Sequence, residues 1–250
     1  MKEGYFILAK AFYETMKANS FISNKWTSND VMEQERNVGV TELDSVCAAM
    51  NVHHLKGSWP FQPKGLPNNF GRNFHPSNLL EEISFRTLST KNYKLILGHY
   101  DLGEYYEKRG ELDKAFAEYM AQIATIPHEP DFYRSAATVL IKQNKFEEAS
   151  RLLRKSLQYK ESLFANKWIG QIAFMYKNNK EAILFLRKAD MNDSQVLFNL
   201  SRAYYADHQW VMGEEYFQRL MRLSPHSEYA VYLSKLRAIE QFKNRMPDSR

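Results

Sequence analysis

The sequence predicts an all-α protein built from repeated helical hairpins, with a non-repeated extension at its N-terminal end. The first indication is self-similarity, because a small residue recurs at positions 115, 149, 182 and 213, with spacings of 34, 33 and 31 residues. The second is hydrophobic periodicity: from Ser77 to about Phe242 apolar residues recur at helical steps and do not alternate as in a strand. A chain of 250 residues that is 44% hydrophobic and 25% charged can bury such a core.

Each copy of the repeat combines two predicted helices that meet at small residues. In the first copy Leu102-Gly103 precedes Tyr106, and Ala115 precedes Tyr119, both at helical spacing. The small residues let the helices approach closely, and the large ones fill the space beside them. Pro127 ends the second helix, because proline lacks an N–H and clashes with the preceding turn. The corresponding residues of the later copies are Ala136, Ala137, Leu140, Ala149 and Leu153; Ile169, Gly170, Ala173, Ala182, Leu186 and Ala189; and Leu200, Ser201, Tyr204, Gly213, Phe217 and Pro225.

This pattern resembles the tetratricopeptide repeat, in which Trp-x-x-Leu-Gly-x-x-Tyr is followed by Ala-x-x-x-Phe and a closing Pro. The resemblance covers residues 96–226 as four repeats and is closest in the first copy. Glu161 and Ser194 stand where a closing Pro is expected, and Gly213 replaces Ala. The resemblance implies a helical-hairpin solenoid whose concave face, lined by the first helix of each pair, binds a peptide or a partner protein.

Three segments flank the predicted repeats and are expected to have different roles. They are residues 1–76, which combine helices with an ordered loop rich in Pro, Gly and aromatic residues; residues 77–95, a lead-in helix; and residues 227–250, a capping helix and tail. A cap is expected because the last repeat would otherwise expose the apolar face that a following repeat covers.

The N-terminal segment divides into two predicted helices and a loop. Apolar residues at helical spacing predict a helix over residues 1–22, and Thr41 is the predicted N-cap of a second one. Between Gly57 and Pro76 seven Gly and Pro residues interrupt the helical pattern. Four large aromatic residues in the same stretch predict that the loop is held against a helical surface, with Trp59 as the main contact.

The predicted concave face carries aromatic side chains and more basic than acidic ones. Basic residues outnumber acidic residues five to one, which favours an acidic or C-terminal peptide segment held by charge-assisted hydrogen bonds. Lys167 and Arg202 partly resemble the carboxylate clamp of tetratricopeptide domains. The alternative is a solvated polar face without a ligand. The predicted partner-binding residues are Tyr100, Glu104, Lys108, Arg134, Thr138, Lys142, Lys167, Gln171, Phe174, Phe198, Arg202 and Tyr205.

Residues 4–13 begin with Gly-Tyr and continue as an apolar helix, and they are followed at a distance by residues 41–44 and 57–61. Together these segments resemble the C-terminal end of bacterial SGNH (GDSL-type) hydrolases that are fused to such repeats. The resemblance implies a non-catalytic regulatory part of an esterase or lipase-like enzyme, whose catalytic residues would lie upstream of Met1. The other interpretation of residues 4–13 is an ordinary amphipathic helix.

No catalytic constellation, metal site or cofactor site is predicted in this chain. Its seven His residues include no His-x-x-x-His pair, and the single Cys47 cannot form a Cys-x-x-Cys motif. Glycine-rich phosphate-binding and dinucleotide-binding motifs and the Gly-x-Ser-x-Gly motif do not occur. We therefore expect no enzymatic activity from this chain alone.

Charge and hydropathy limit the other classes of partner. A net charge of +5 is a mild excess, and nucleic-acid binding, the less favoured alternative, would need that charge clustered on one face. No apolar run reaches the length of a membrane span, and the run over residues 5–9 is shorter than the core of a signal peptide. One Cys is compatible with the cytoplasm but does not require it.

Overall fold

Helices account for all the regular secondary structure in the computed structural model, which describes residues 2–20 and 40–245. The prediction of an all-α fold is therefore confirmed for the described residues. The chain forms two compact units, Met1–Val139 and Leu140–Arg250. The helices are α1 (Lys2–Ala18), α2 (Glu42–Lys56), α3 (Phe70–Asn73), α4 (Leu79–Ser89), α5 (Leu95–Lys108), α6 (Leu112–Thr125), α7 (Pro130–Lys142), α8 (Phe146–Leu157), α9 (Leu163–Met175), α10 (Asn179–Leu186), α11 (Ser194–Ala206), α12 (Trp210–Leu223) and α13 (Glu228–Arg245).

The helix ends follow the local sequence signals. The backbone N–H of Thr41 donates to Asp44 at 2.6 Å, which confirms Thr41 as the N-cap of α2. The side chain of Asn78 accepts the backbone N–H of Glu81 and caps α4, the predicted lead-in helix. Helices α6 and α12 each end two residues before a proline, as predicted from Pro127 and Pro225. The end of the predicted first helix beyond residue 20, and the tail after residue 245, lie outside the described residues.

In the N-terminal unit, α5 and α6 pack as the first predicted hairpin and α2 and α4 pack beside them. Leu43, Ile83 and Leu102 form part of the core, each at most 2% exposed. Gly103 lies against the ring of Tyr119, where an added Cβ would come within 2.6 Å of a ring carbon. The predicted close contact at the small residue of the first repeat is therefore confirmed.

A buried histidine joins three helices of this unit. His99 on α5 is 2% exposed, and its Nδ1 lies 2.7 Å from Oε2 of Glu118 on α6. Its Nε2 lies 3.4 Å from Oδ1 of Asp44 on α2. Burial opposes the charged form, but the hydrogen bonds and charges of Asp44 and Glu118 raise the pKa of His99 to about 9. At neutral pH the imidazolium therefore links α2 to the first hairpin.

In the C-terminal unit, α9 pairs with α10 and α11 pairs with α12, and α13 packs on α11 and α12. An added Cβ at Gly170 would approach the backbone N of Leu186 to 2.9 Å, so the α9–α10 contact depends on the missing side chain. In the next hairpin Ser201 donates a hydrogen bond of 2.7 Å to the carbonyl oxygen of Gly213. Ala230 and Leu233 of α13 are at most 1% exposed, which is the arrangement predicted for a capping helix.

The turns between the two helices of each repeat share one backbone feature. Gly110, Asn144, Lys177 and His208 all have φ between 59° and 75°, in the left-handed region. They follow one another at 34, 33 and 31 residues, which is the spacing of the small residues that define the repeat. The backbone conformation of the turn is thus repeated even where its side chains differ.

The aromatic loop between α2 and α4 is held by other residues than predicted. Phe70 and Phe74 stack at 5.3 Å, and Phe74 stacks on Phe85 of α4 at 5.2 Å, so these rings hold the loop on a helical surface. Trp59 is 69% exposed and Phe61 is 64% exposed. The prediction that Trp59 is the main contact is therefore wrong, because the short helix α3 presents Phe70 to the helices instead.

Candidate peptide-binding surface

A cationic side chain lies between two aromatic rings on neighbouring helices of the C-terminal unit. The guanidinium carbon of Arg202 on α11 is 4.8 Å from the ring centre of Phe174 on α9 and 5.0 Å from that of Phe198. Both distances are within the range of cation–π attraction. Helical spacing predicted all three residues for this surface, and the structure brings them together.

Two tyrosines of the capping helix extend this group. The ring of Phe198 lies 5.2 Å from that of Tyr229 and 5.8 Å from that of Tyr232. We refer to Phe174, Phe198, Arg202, Tyr229 and Tyr232 as the Arg202 cluster. Phe198 itself is 8% exposed, so it supports the cluster from below, whereas Tyr232 is 49% exposed and accessible to a ligand.

The Arg202 guanidinium has no carboxylate partner among the described residues. Burial lowers the pKa of this guanidinium from its ordinary value, although arginine stays protonated at any ordinary pH. The guanidinium carbon lies over both rings, and the N–H donors of the group lie in its own plane. A planar carboxylate matches these donors with two parallel hydrogen bonds.

Two buried amide atoms on the same helices also have no hydrogen-bond partner in the described part of the chain. They are Oε1 of Gln171 on α9 and Nδ2 of Asn199 on α11. Asn199 precedes Arg202 by three residues and is therefore its neighbour on the helix surface. A buried polar atom without a partner costs about 1–3 kcal/mol. One of these atoms accepts and the other donates, and both are enclosed by the surrounding helices.

The structure assigns Lys167 a different role from the one predicted. Its ammonium group donates to Oδ2 of Asp193 at 2.6 Å, and Lys167 is only 21% exposed. Burial opposes the charge of Asp193, but the hydrogen bonds from Lys167 and from backbone N–H groups hold its pKa below the ordinary value. Because Asp193 already neutralises Lys167, Arg202 is the remaining cation of the predicted carboxylate pair.

Tyr205 also contacts a neighbouring helix. Its hydroxyl donates to Glu214 at 3.0 Å. Its ring lies so close to Gly213 that a Cβ added at Gly213 would come within 2.6 Å of a ring carbon. Tyr205 therefore fills the contact between α11 and α12.

The predicted residues of the N-terminal unit pair mainly within their own helices. Tyr100 and Lys108 both bind the carboxylate of Glu104, at 2.8 and 3.1 Å. Arg134 lies 3.5 Å from Asp131, and the hydroxyl of Thr138 donates to the carbonyl oxygen of Arg134 at 2.8 Å. In the N-terminal unit the predicted basic excess is thus reduced by local ion pairs. Lys142, at the end of α7, belongs to the C-terminal unit and is exposed.

Sequence reasoning missed Tyr229, Tyr232 and Asn199. Helical spacing predicts the capping helix only as a cover for the last repeat, although Tyr229 follows Phe198 by 31 residues, the spacing of the last two repeats. That spacing could have predicted that α13 contributes to the same surface. No sequence pattern indicates Asn199, because the burial of its amide is visible only in the structure.

No group of three or more His, Cys, Asp or Glu side chains in the described residues has an arrangement that could hold a metal ion. Among the helices of residues 2–20 and 40–245, none is both long enough and apolar enough to span a membrane.

Comparisons with known proteins bear on the fold. No family model matches the sequence, and no curated protein matches it. MamA of Desulfovibrio magneticus RS-1 superposes with a TM-score of 0.54 at 18% identity, over 58% of this chain and 85% of that one. YrrB, described as a TPR protein with an unusual peptide-binding site, gives 0.51 at 16% identity, over 59% and 77%. Pseudomonas aeruginosa PilF gives 0.52 at 12% identity, over 94% and 96%.

At these identities the likeness shows the fold alone. The fold is that of tetratricopeptide-repeat proteins, as the repeat in the sequence predicted. The comparisons do not support the resemblance of residues 1–76 to SGNH hydrolases, which stays a prediction.

Proposed function

We propose that this chain is a non-catalytic protein-interaction module that binds an acidic or C-terminal peptide segment of a partner protein at the Arg202 cluster. The observation that carries the proposal is the half-buried guanidinium of Arg202, which lies between two aromatic rings and has no carboxylate partner among the described residues. A carboxylate of the partner would supply the missing charge and two hydrogen bonds.

The cluster is suited to binding because it is already ordered without a ligand. The rings of Phe174 and Phe198 hold the Arg202 side chain in one position, so little side-chain entropy remains to be lost on binding. The exposed ring of Tyr232 adds an apolar contact at the margin.

The distribution of charge favours a peptide over a nucleic acid. Lys167 is neutralised by Asp193, and Lys108 is paired with Glu104. Binding to a phosphate backbone would require several free cations along one face. No observation on the described residues favours the hydrolase alternative, so it is not part of the proposal.

The test uses fluorescent hexapeptides that end in Asp or Glu with a free C-terminus, and the same peptides with Asn or Gln at that position or an amidated end. Fluorescence anisotropy measures their affinity for the full chain. We expect Arg202→Gln to weaken binding of the acidic peptides by about tenfold or more, since a hydrogen bond to a charged group contributes about 1.5–3 kcal/mol. Comparing the amidated peptides separates recognition of the terminus from recognition of the side chain.

Arg219→Gln is the matched control. Its guanidinium also lies over an aromatic ring, 5.4 Å from the centre of Tyr216, but on α12 and outside the cluster. This variant should bind like the wild type. Equal affinity for acidic and neutral peptides, or equal loss in both variants, would contradict the proposal.

A further inference from the structure

Two arginines of the C-terminal unit lie over a phenylalanine ring and are completed by a glutamate. The guanidinium carbon is 4.9 Å from the ring centre in one group and 5.2 Å in the other. Each guanidinium also binds a carboxylate oxygen of the glutamate at 2.9 Å. The groups consist of Arg154 of α8 with Phe185 and Glu181 of α10, and of Arg237 of α13 with Phe217 and Glu214 of α12.

The two groups share one arrangement along the chain. The glutamate precedes the phenylalanine by four residues in α10 and by three residues in α12. Residues at these spacings are neighbours on the surface of a helix, so a single helix presents both the ring and the carboxylate to an arginine of another helix. In this fold the pattern therefore produces a closed ion pair.

Arg202 lies in the same arrangement but without the carboxylate. Its guanidinium carbon is 4.8 Å from the ring centre of Phe174, which belongs to α9. The residue three positions before Phe174 is Gln171, whose amide has nearly the size and shape of a glutamate carboxylate. The residue four positions before it is Gly170, and neither α9 nor α11 contains Asp or Glu. The position that closes the other two groups is thus uncharged here.

The side chain of Gln171 does not take over the role of the missing carboxylate. Its Oε1 has no hydrogen-bond partner among the described residues, so it does not accept a hydrogen bond from the Arg202 guanidinium. The carboxylate of Asp193, which precedes α11, is held by Lys167 at 2.6 Å. The N–H donors of Arg202 therefore remain available to a carboxylate from outside the chain.

We propose that Gln171 is a specificity-determining residue that keeps Arg202 open, so that the carboxylate of a partner peptide takes the position that glutamate occupies in the other two groups. This inference rests on the proposed function. It adds that the single substitution Gln171→Glu closes the site from within, because the new carboxylate pairs with Arg202 and competes with that of the peptide.

The first measurement is the affinity of the hexapeptides that end in Asp, by fluorescence anisotropy. Gln171→Glu should weaken their binding by about tenfold or more, since the peptide must displace an ion pair that is already formed. Gln158→Glu makes the same change in net charge at an exposed site just after α8, and it should bind like the wild type. If Arg202→Gln weakens binding but Gln171→Glu does not, the inference is wrong and the proposed function stands.

The second measurement needs no peptide and reports whether the new ion pair forms. Urea denaturation at neutral pH is compared for Gln171→Glu, Arg202→Gln and the double variant. Gln171→Glu should lower the denaturation midpoint more in the Arg202→Gln protein than in the wild type, because the buried carboxylate then has no cation. Equal shifts in the two backgrounds, or a Gln171→Glu protein that does not fold, would overturn the inference. Unequal shifts with no effect of either single substitution on peptide affinity would overturn the proposed function, and the inference with it.

Discussion

At the scale of the residue, two glycines of the first hairpin serve different purposes. Gly103 is needed for space, since a Cβ there would lie 2.6 Å from the ring of Tyr119. Gly110 has open space around it but a φ of 75°, which strains any residue with a Cβ. A helical pattern in the sequence predicts the first requirement, whereas the second depends on the turn conformation.

The two alanine substitutions should therefore destabilise the protein for different reasons. Gly110→Ala should lower the free energy of unfolding by about 1 kcal/mol through backbone strain alone. Gly103→Ala should cost about 1–3 kcal/mol by overpacking, because Tyr119 is fixed by its hydrogen bond to Glu107 at 2.8 Å. Urea denaturation measures both values. A Gly103→Ala protein more stable than the wild type would show that the contact is not tight.

At the scale of the element, helices are joined by a few buried side chains. His99 links α2, α5 and α6 through two carboxylates, and Leu233 fixes α13 on the preceding hairpin. The sequence predicts the capping helix that carries Leu233, but no pattern in it indicates the link through His99, since Asp44 and Glu118 are distant along the chain. The candidate surface shows the same division: spacing within one helix predicted Arg202, but not the pairing of Lys167 with Asp193.

The link through His99 makes stability depend on pH. Its pKa of about 9 in the folded protein exceeds the unfolded value of about 6.5, so the folded state binds the proton more tightly. The contribution, roughly 3 kcal/mol at most, is fully present below about pH 6.5 and is lost as the pH rises through about 9. Urea denaturation of the wild type should show this decline between neutral and alkaline pH.

His99→Gln should remove most of that pH dependence and destabilise the protein at neutral pH, because the buried carboxylate of Glu118 and the partly buried one of Asp44 lose their cation. His128→Gln is the control, since His128 is exposed. Parallel pH profiles for His99→Gln and the wild type would contradict the assignment.

The capping helix should support the Arg202 cluster as well as the core. Leu233 is 1% exposed, so Leu233→Ala should lower the free energy of unfolding by about 2–5 kcal/mol. It should also weaken peptide binding, because Tyr229 and Tyr232 flank it on α13. Val231→Ala, at a site that is 44% exposed, should leave both nearly unchanged. Thermal denaturation and anisotropy give the two readouts, and loss of stability with unchanged affinity would exclude α13 from the binding surface.

At the scale of the whole molecule, the fold followed from the sequence because its signal is repeated. Each small residue near 103, 115, 170 and 182 is weak evidence alone, but a near-constant period made the hairpin prediction firm, and these positions are buried. The loop over residues 57–76 was less predictable. Its composition showed that aromatic side chains hold it, but not that Phe70 would be packed and Trp59 exposed.

The whole chain should show no esterase activity. Both ring nitrogens of His99 are occupied by carboxylates within 3.4 Å, so this buried histidine is protonated and cannot act as a general base. Purified protein should hydrolyse p-nitrophenyl esters no faster than buffer does. Turnover that scales with protein concentration and survives repeated purification would contradict this prediction.

The left-handed residue in every hairpin bend has a practical consequence for engineering. The left-handed residue lies at a matching backbone position in all four turns, namely Gly110, Asn144, Lys177 and His208. We therefore expect that one turn can be exchanged for another. The first bend could replace the third without altering the register of the flanking helices, and new sequence could be inserted there at modest cost. These turns are thus suitable sites for the insertion of foreign sequence, because they lie apart from the side chains of the core.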